Sequence, residues 1–204
     1  MQTVVAHRWH LSFLRVLIRR FARNRRGVAA MEFVLLLPVM MLLAFGLAEV
    51  YVDHATEDQF LRYVHQSGDI LAREPTLTTA SITSILNTAD QMIKGFDASR
   101  TVDIQVSSIG FKADGTPVLL WTRAAGATAV TPDVSDVAGM GLPTDTVLRF
   151  EAHLHYTSPF NYVWASTART LSSVAYFRPR ETRAIAMDGA VSEYDPNWDY
   201  IPPA

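Results

Sequence analysis

RRGVAAMEFVLLLPVMMLLAFGLAEV, Arg25 to Val50, is the stretch whose reading decides the architecture. From Val28 to Val52 its only charges are Glu32 and Glu49. A helix of that length rises about 37 Å, enough to cross a hydrocarbon core of about 30 Å with some tilt. Phe33 to Ala48 is apolar on every side, whereas the core helix of a soluble domain keeps a polar face for water. A membrane span is therefore expected. Ala44-Phe45-Gly46 has the small-x-small form of a secretory cleavage site. A cleaved signal peptide stays as the alternative, although the run exceeds the roughly 7 to 15 residues of a signal's apolar region. Pro38 removes one backbone donor, which membrane helices tolerate where neighbours or local adjustment compensate.

Outward on the N-terminal side, Arg8, Arg15, Arg19, Arg20, Arg23, Arg25 and Arg26 precede the span without a single acid, and Asp53, Glu57 and Asp58 follow it. Positive charge is retained on the cytoplasmic side, so the leader is expected in the cytoplasm and the C-terminal part exported. The formal charge of -2 hides this asymmetry, because Asp53 to Ala204 carries 11 basic against 18 acidic residues. A basic arm can also mark a nucleic-acid binder, but arginines abutting an apolar span serve topology, and no nucleic-acid partner is expected. Leu11, Leu14, Leu17, Ile18 and Phe21 recur at helical spacing, as in a helix lying on an anionic leaflet, while purely topogenic charges explain the same residues. The chain has no cysteine, which excludes disulfides, zinc thiolates and thiol nucleophiles.

Glu32 sits one helical turn inside the span, after Gly27 and the arginines. A carboxylate near the interface can simply snorkel toward water or pair with Arg25 or Arg26. The order of residues supports a sharper reading: basic leader, Gly27, four small or apolar residues, Glu32, Phe33, then an unbroken apolar helix. This resembles the class III signal of type IV pilins, and Gly27 followed four residues later by Glu32-Phe33 resembles the processing site of TadE-like minor pilins or pseudopilins of the tight-adherence (Tad/Flp, type IVc) pilus system. The closing AYFRPR, Ala175 to Arg180, is similar to the C-terminal end of that family. The resemblance implies cleavage after Gly27 by a membrane-embedded prepilin peptidase, with the helix retained and Val28 as the new N-terminus. It implies that Glu32 neutralises the Val28 amine of a neighbouring subunit while Phe33 joins the same contact. Other Tad pseudopilins, the Flp pilin and the inner-membrane assembly platform are the partners it implies. Burying either charge alone is expensive, so such a pair favours one stagger of packed helices.

Beyond the span the helical pattern continues from Glu49 to Arg73, with Phe60, Leu61, Val64 and Leu71 on a stripe ended by Glu74-Pro75. A second helix is predicted from about Thr79 to Lys94, stopped by Gly95. The period then changes to two. TVDIQVSSIGFK and PVLLWTR flank Ala113-Asp114-Gly115-Thr116 as a hairpin, and TVLRFEAHLHY and RTLSSVAYF give two more strands around Ser158-Pro159-Phe160. Ala124 to Thr144 reads as a long loop. The expected organisation is a leader over 1–27, a transmembrane helix over 28–52, an exported α+β head with a helical stalk over 53–180, and an acidic, aromatic tail over 181–204. The fold class is α+β: a long N-terminal helix, a second helix, and a small mostly antiparallel sheet, broadly pilin-shaped. The prolines at 196, 202 and 203 argue against regular structure in the tail, whose Trp198 and Tyr200 dock on a partner unless the tail is frayed or folds back on the head, the two readings favoured over docking.

Chemistry has one candidate cluster. Glu151, His153 and His155 share one face of a strand whose other face carries Phe150, Ala152, Leu154 and Tyr156. Two imidazoles and a carboxylate form a weak candidate metal set against the plainer reading of a hydrated strand face. HExxH, phosphate-loop, dinucleotide and nucleophile-elbow motifs are all missing from the sequence. The expectation is assembly without catalysis or cofactor. An uncleaved single-pass envelope protein and a tethered metal-dependent hydrolase are the competing classes.

Overall fold

The computed structural model describes residues 25–93, 100–158, 168–195 and 198. The chain divides into two compact units, Met1–Ala48 and Glu49–Ala204, with helix α1 (Arg25–Leu71) running through the boundary. In the first unit every residue from Gly27 to Ala44 is exposed. This helix is long and apolar enough to cross a membrane, and Pro38 lies inside it. Arg19, Arg20, Arg23 and the apolar leader residues lie outside the described residues.

The second unit is an α+β fold. After α1 come β1 (Thr76–Leu77), α2 (Thr79–Met92), β2 (Thr101–Phe111), β3 (Pro117–Ala125), a short 3-10 turn (Ser135–Val137), β4 (Thr146–Thr157), β5 (Ala168–Phe177) and β6 (Ala186–Met187). The four long strands form one antiparallel sheet in the order β3-β2-β4-β5, while β1 and β6 make a separate parallel pair.

Local chemistry explains the boundaries. Thr78 caps α2 by accepting from the Ser81 amide at 3.1 Å while Ser81 reaches back to the Thr78 amide, a reciprocal arrangement that satisfies two otherwise orphaned donors. The helix ends at Met92, short of the expected Lys94, with Ile93 already extended as its C-cap, and the expected stop at Gly95 lies outside the described residues. The Asp-Gly signal does make the β2–β3 hairpin: Gly115 adopts φ +81°, and Asp114 accepts from the Thr116 amide at 2.8 Å. That amide contact, first among its causes, holds the Asp114 carboxyl below its ordinary range.

One apolar stripe of α1 (Phe60, Tyr63, Val64 and Leu71) packs with Ile82, Ile85 and Ala89 of α2 over the sheet's inner row, which includes Ile104, Val106, Phe150, Ala152 and Leu154. Leu61, expected on that stripe, is exposed instead. Tyr63 sits edge-on to Phe150 and donates its hydroxyl to the Ile85 carbonyl at 3.2 Å. Burial pushes that hydroxyl well above the ordinary tyrosine range. Trp121 likewise satisfies its indole N–H on the Ile185 carbonyl at 2.8 Å.

One expectation is corrected. The loop after β3 starts later than Ala124, since Ala124 and Ala125 still pair with Gln105 and Ile104. Its Val137 is buried in a second, smaller core with Ile109, Phe111 and Val147. Of the alternatives for the segment from residue 181, its described part takes the fold-back onto the head: Ala184, Ile185 and Met187 are buried in the main core with Trp198. Folding back removes that apolar surface from water, which a detached tail leaves exposed. Tyr200 lies outside the described residues.

Gly68 brings α1 close against the sheet at Phe177. A methyl group there would lie 2.1 to 2.7 Å from ring atoms of Phe177. Gly68→Ala is therefore expected to destabilise the head by about 1–3 kcal/mol despite its better helix propensity, as an overpacked contact does. Urea unfolding checks this, and Phe177→Leu in the same chain should recover much of the loss.

Candidate functional site

Two regions bring functional side chains together, and a third separates residues expected to act jointly. The first is the start of α1. Gly27, Val28, Glu32 and Phe33 all lie on exposed helix, with Val28 55% and Phe33 58% accessible. Val28 and Glu32 are four apart and so share a face. Nothing lies within 4 Å of the position where a side chain at Gly27 would begin. The Gly27–Val28 peptide is helical, as are Arg25 and Arg26. A protease takes its substrate extended, and glycine, about 1 kcal/mol poorer than alanine in a helix, makes local unwinding cheaper.

The second is an ion cluster at the Glu49 end of the head. Glu49 and Asp53 are one turn apart on α1 and meet Arg169 at the start of β5. Arg169 Nη1 is 3.0 Å from Asp53 Oδ2, and Nη2 is 3.7 Å from Glu49 Oε1. Tyr156, at the end of β4, donates to Asp53 Oδ1 at 3.3 Å. Glu49 is wholly buried in the head and Asp53 is 15% exposed. Burial, then the Asp53 charge, pushes the Tyr156 hydroxyl up. The sequence reading counted Glu49 only as a charge at the edge of the span and missed Arg169. The signal was there: two acids at i and i+4 just past an apolar span cannot both be buried without a base.

This cluster has a counterpart twenty residues along the helix. Phe177 packs at Gly68, and Arg180 bonds Asp69, which also holds Arg73 at 2.5 Å. Nineteen residues of helix from Glu49 to Gly68 rise about 28 Å, and the eight strand steps from Arg169 to Phe177 span about 26 Å. Helix and strand thus run side by side in the same direction, fastened at both ends.

The third region is the sheet's outer face. Glu151, His153 and His155 share it as expected, but they do not converge. His155 Nε2 meets Asp103 Oδ2 at 3.1 Å and its Nδ1 meets Thr170 at 3.0 Å, while His153 Nε2 meets Glu151 at 3.4 Å and its Nδ1 meets Ser172 at 2.9 Å. Glu151 is taken from its other side by Arg149 at 2.5 Å. Among the described residues no three His, Asp or Glu side chains group to hold a metal ion, so the candidate metal set is not assembled. Beside it is a groove of about 360 Å³ between these strands and the loop at Ala127–Pro132. Gln105 fixes that loop through both backbone groups of Val130, at 2.7 and 2.8 Å.

Compared with known protein families, curated proteins and solved structures, the chain matches none.

Arg169→Ala leaves Glu49 and Asp53 without their guanidinium. Breaking such a pair from one side is expected to cost about 3 kcal/mol, measured by urea unfolding of the full chain in detergent. The double variant Glu49→Gln, Arg169→Met should be less destabilised than Arg169→Ala alone.

Proposed function

We propose that this chain is an assembly subunit of the TadE-like pseudopilin kind, inserted in the cytoplasmic membrane with its leader in the cytoplasm and its head exported. A prepilin peptidase removes residues 1–27, and the retained helix packs beside those of other pilin-like subunits in a Tad/Flp pilus machine. The observation that carries this reading is the motif at the membrane edge. Gly27, Glu32 and Phe33 stand in order at the start of an all-round apolar helix, and their side-chain positions make no demand on the chain's own fold. Residues so exposed on a helix that continues into a packed head are free to serve other molecules.

In this reading Gly27 gives the peptidase a subsite without a side chain and a peptide that unwinds cheaply. Cleavage leaves an ammonium on Val28 in the same low-dielectric layer as Glu32. Within one chain the two sit on adjacent turns, and between staggered chains the amine of one meets the carboxylate of the next. A mismatched stagger strands both charges in lipid, so the pair selects register. Arg19, Arg20, Arg23, Arg25 and Arg26 hold the leader on the cytoplasmic side until it is cut. The head, fastened to α1 through Arg169 and Phe177, is carried into the assembly with it.

N-terminal peptide mapping of the protein from cells with and without the peptidase tests this directly. The mature chain should begin at Val28 only where the enzyme is present. Because the Gly27 position is open, Gly27→Ala cannot act by disturbing the fold. It should slow processing by roughly 10- to 200-fold, the range a single methyl produces in a close-fitting subsite. Glu32→Ala should be cut normally and fail to support pili. A chain that keeps its leader in piliated cells would sink the reading.

A further inference from the structure

The chain around and after β6 is held in two different ways. As far as Ala190 it belongs to the core. Ile185 and Met187 are buried there, the Asp188 amide donates to the Leu77 carbonyl at 2.9 Å, and the Asp188 carboxylate accepts from the Thr79 hydroxyl at 3.1 Å. Asp188 and Gly189 both take positive φ, 49° and 89°, and Met187 and Ala190 exchange backbone bonds across them at 2.8 and 2.9 Å, a tight turn of the kind Asp-Gly favours.

Beyond that turn the segment is clasped to the β2–β3 hairpin by charge and by one aromatic ring. The register shift at Ser108/Ile109 leaves Leu120 as the extra residue of a bulge, and its carbonyl accepts from the amides of Glu193 and Tyr194 at 2.7 and 3.1 Å. The Glu193 carboxylate takes both terminal nitrogens of Arg123, at 2.8 and 2.5 Å, and Arg123 Nη1 also donates to the Thr122 carbonyl at 2.9 Å. Lys112 pairs with Asp195 at 2.9 Å. Trp198 lays its indole on Gly110, where a methyl group would stand 2.6 Å from the ring, and donates to the Phe111 carbonyl at 3.4 Å. The segment is also tied to itself. Ser192 donates its hydroxyl to the Asp195 carbonyl at 2.6 Å and accepts from the Asp195 amide at 3.1 Å, and the Trp198 amide donates to the same carbonyl at 3.2 Å.

We propose that the segment carrying Val191–Asp195 and Trp198 is a strap that opens and closes as one piece about the Asp188–Gly189 turn, with ionic strength setting how often the edge of β3 is bare. Its internal bonds make it a unit, and the turn is its fixed pivot. The Arg123–Glu193 and Lys112–Asp195 pairs join part-exposed side chains, so salt screens them, whereas the burial of Ile185 and Met187 involves no charge to screen. Salt therefore loosens the strap and spares its anchor. Open, the strap uncovers the Leu120 and Phe111 carbonyls and the notch at Gly110. Closed, it guards an edge that the bulge by itself only interrupts.

The test is residue-resolved hydrogen exchange on the full chain in detergent micelles. Sodium chloride is raised from about 0.01 M to about 1 M, which cuts the screening length from about 30 Å to about 3 Å. The amides of Glu193 and Tyr194 should exchange at least about tenfold faster at high salt, while the Asp188 amide and the β2–β4 ladder keep their rates. Glu193→Gln keeps the amide and removes the charge, so it should show the fast rates already at low salt and lose most of the response. Gly110→Ala crowds the indole and, through the unity of the strap, should speed exchange at Glu193 and Tyr194 as well. The proposal is overturned if these two amides exchange no faster than the ladder, if salt or Glu193→Gln leaves them unchanged, or if the ladder speeds up with them, which is loosening of the whole head. A folded Gly110→Ala chain that protects both amides fully overturns it too, because the ring and the clasp then move separately.

Discussion

One helix here joins two different surroundings. From Phe33 to Ala48 α1 is apolar on all sides, it is exposed from Gly27 to Ala44, and it is long and apolar enough to cross a membrane. From Glu49 onward it needs one buried stripe and one wet face, because the sheet covers a single side. The change of regime happens within a turn, where Glu49 is the first polar side chain buried by the head. Its charge is offset by Arg169, which also pairs with Asp53, and Tyr156 donates to Asp53. The direction of β5, the seat of Phe177 at Gly68 and the lie of the helix on the inner row all agree with that first contact.

Local signals were legible in the sequence where the physics is local. The all-round apolar run, the stripe of Phe60, Val64 and Leu71, the Asp114-Gly115 turn and the alternation from Phe150 to Tyr156 each arise within a few residues of chain, and the structure bears these out. The β1–β6 pair was not legible, since Thr76-Leu77 and Ala186-Met187 are two residues long and meet across more than a hundred positions. The fold-back of the segment after residue 181 was legible only as one alternative, because Ile185 and Trp198 join a core built from distant parts of the chain.

The candidate site shows the same division. Gly27, Val28, Glu32 and Phe33 form a contiguous motif, and a motif is what a sequence displays. Glu151, His153 and His155 were correctly placed on one face by their period of two. Asp103, Thr170 and Ser172, which take up the two histidines, come from neighbouring strands and depend on register, while Arg149 reaches Glu151 from two residues away on the same strand. Three potential ligands on one strand became separate polar contacts once neighbouring strands supplied competitors. Glu49 and Asp53 signal the need for a base, but which base answers them was not legible, Arg169 being 120 positions from Glu49 in the chain.

The parallel course of α1 and β5 also governs how the head bears load. A pull along the helix enters the sheet through Arg169 and runs lengthwise down β5. The β4–β5 ladder, ten residue pairs long, then resists in shear, with its bonds strained together. Had the strand crossed the helix, the same tug would have opened those bonds one after another, like a zipper.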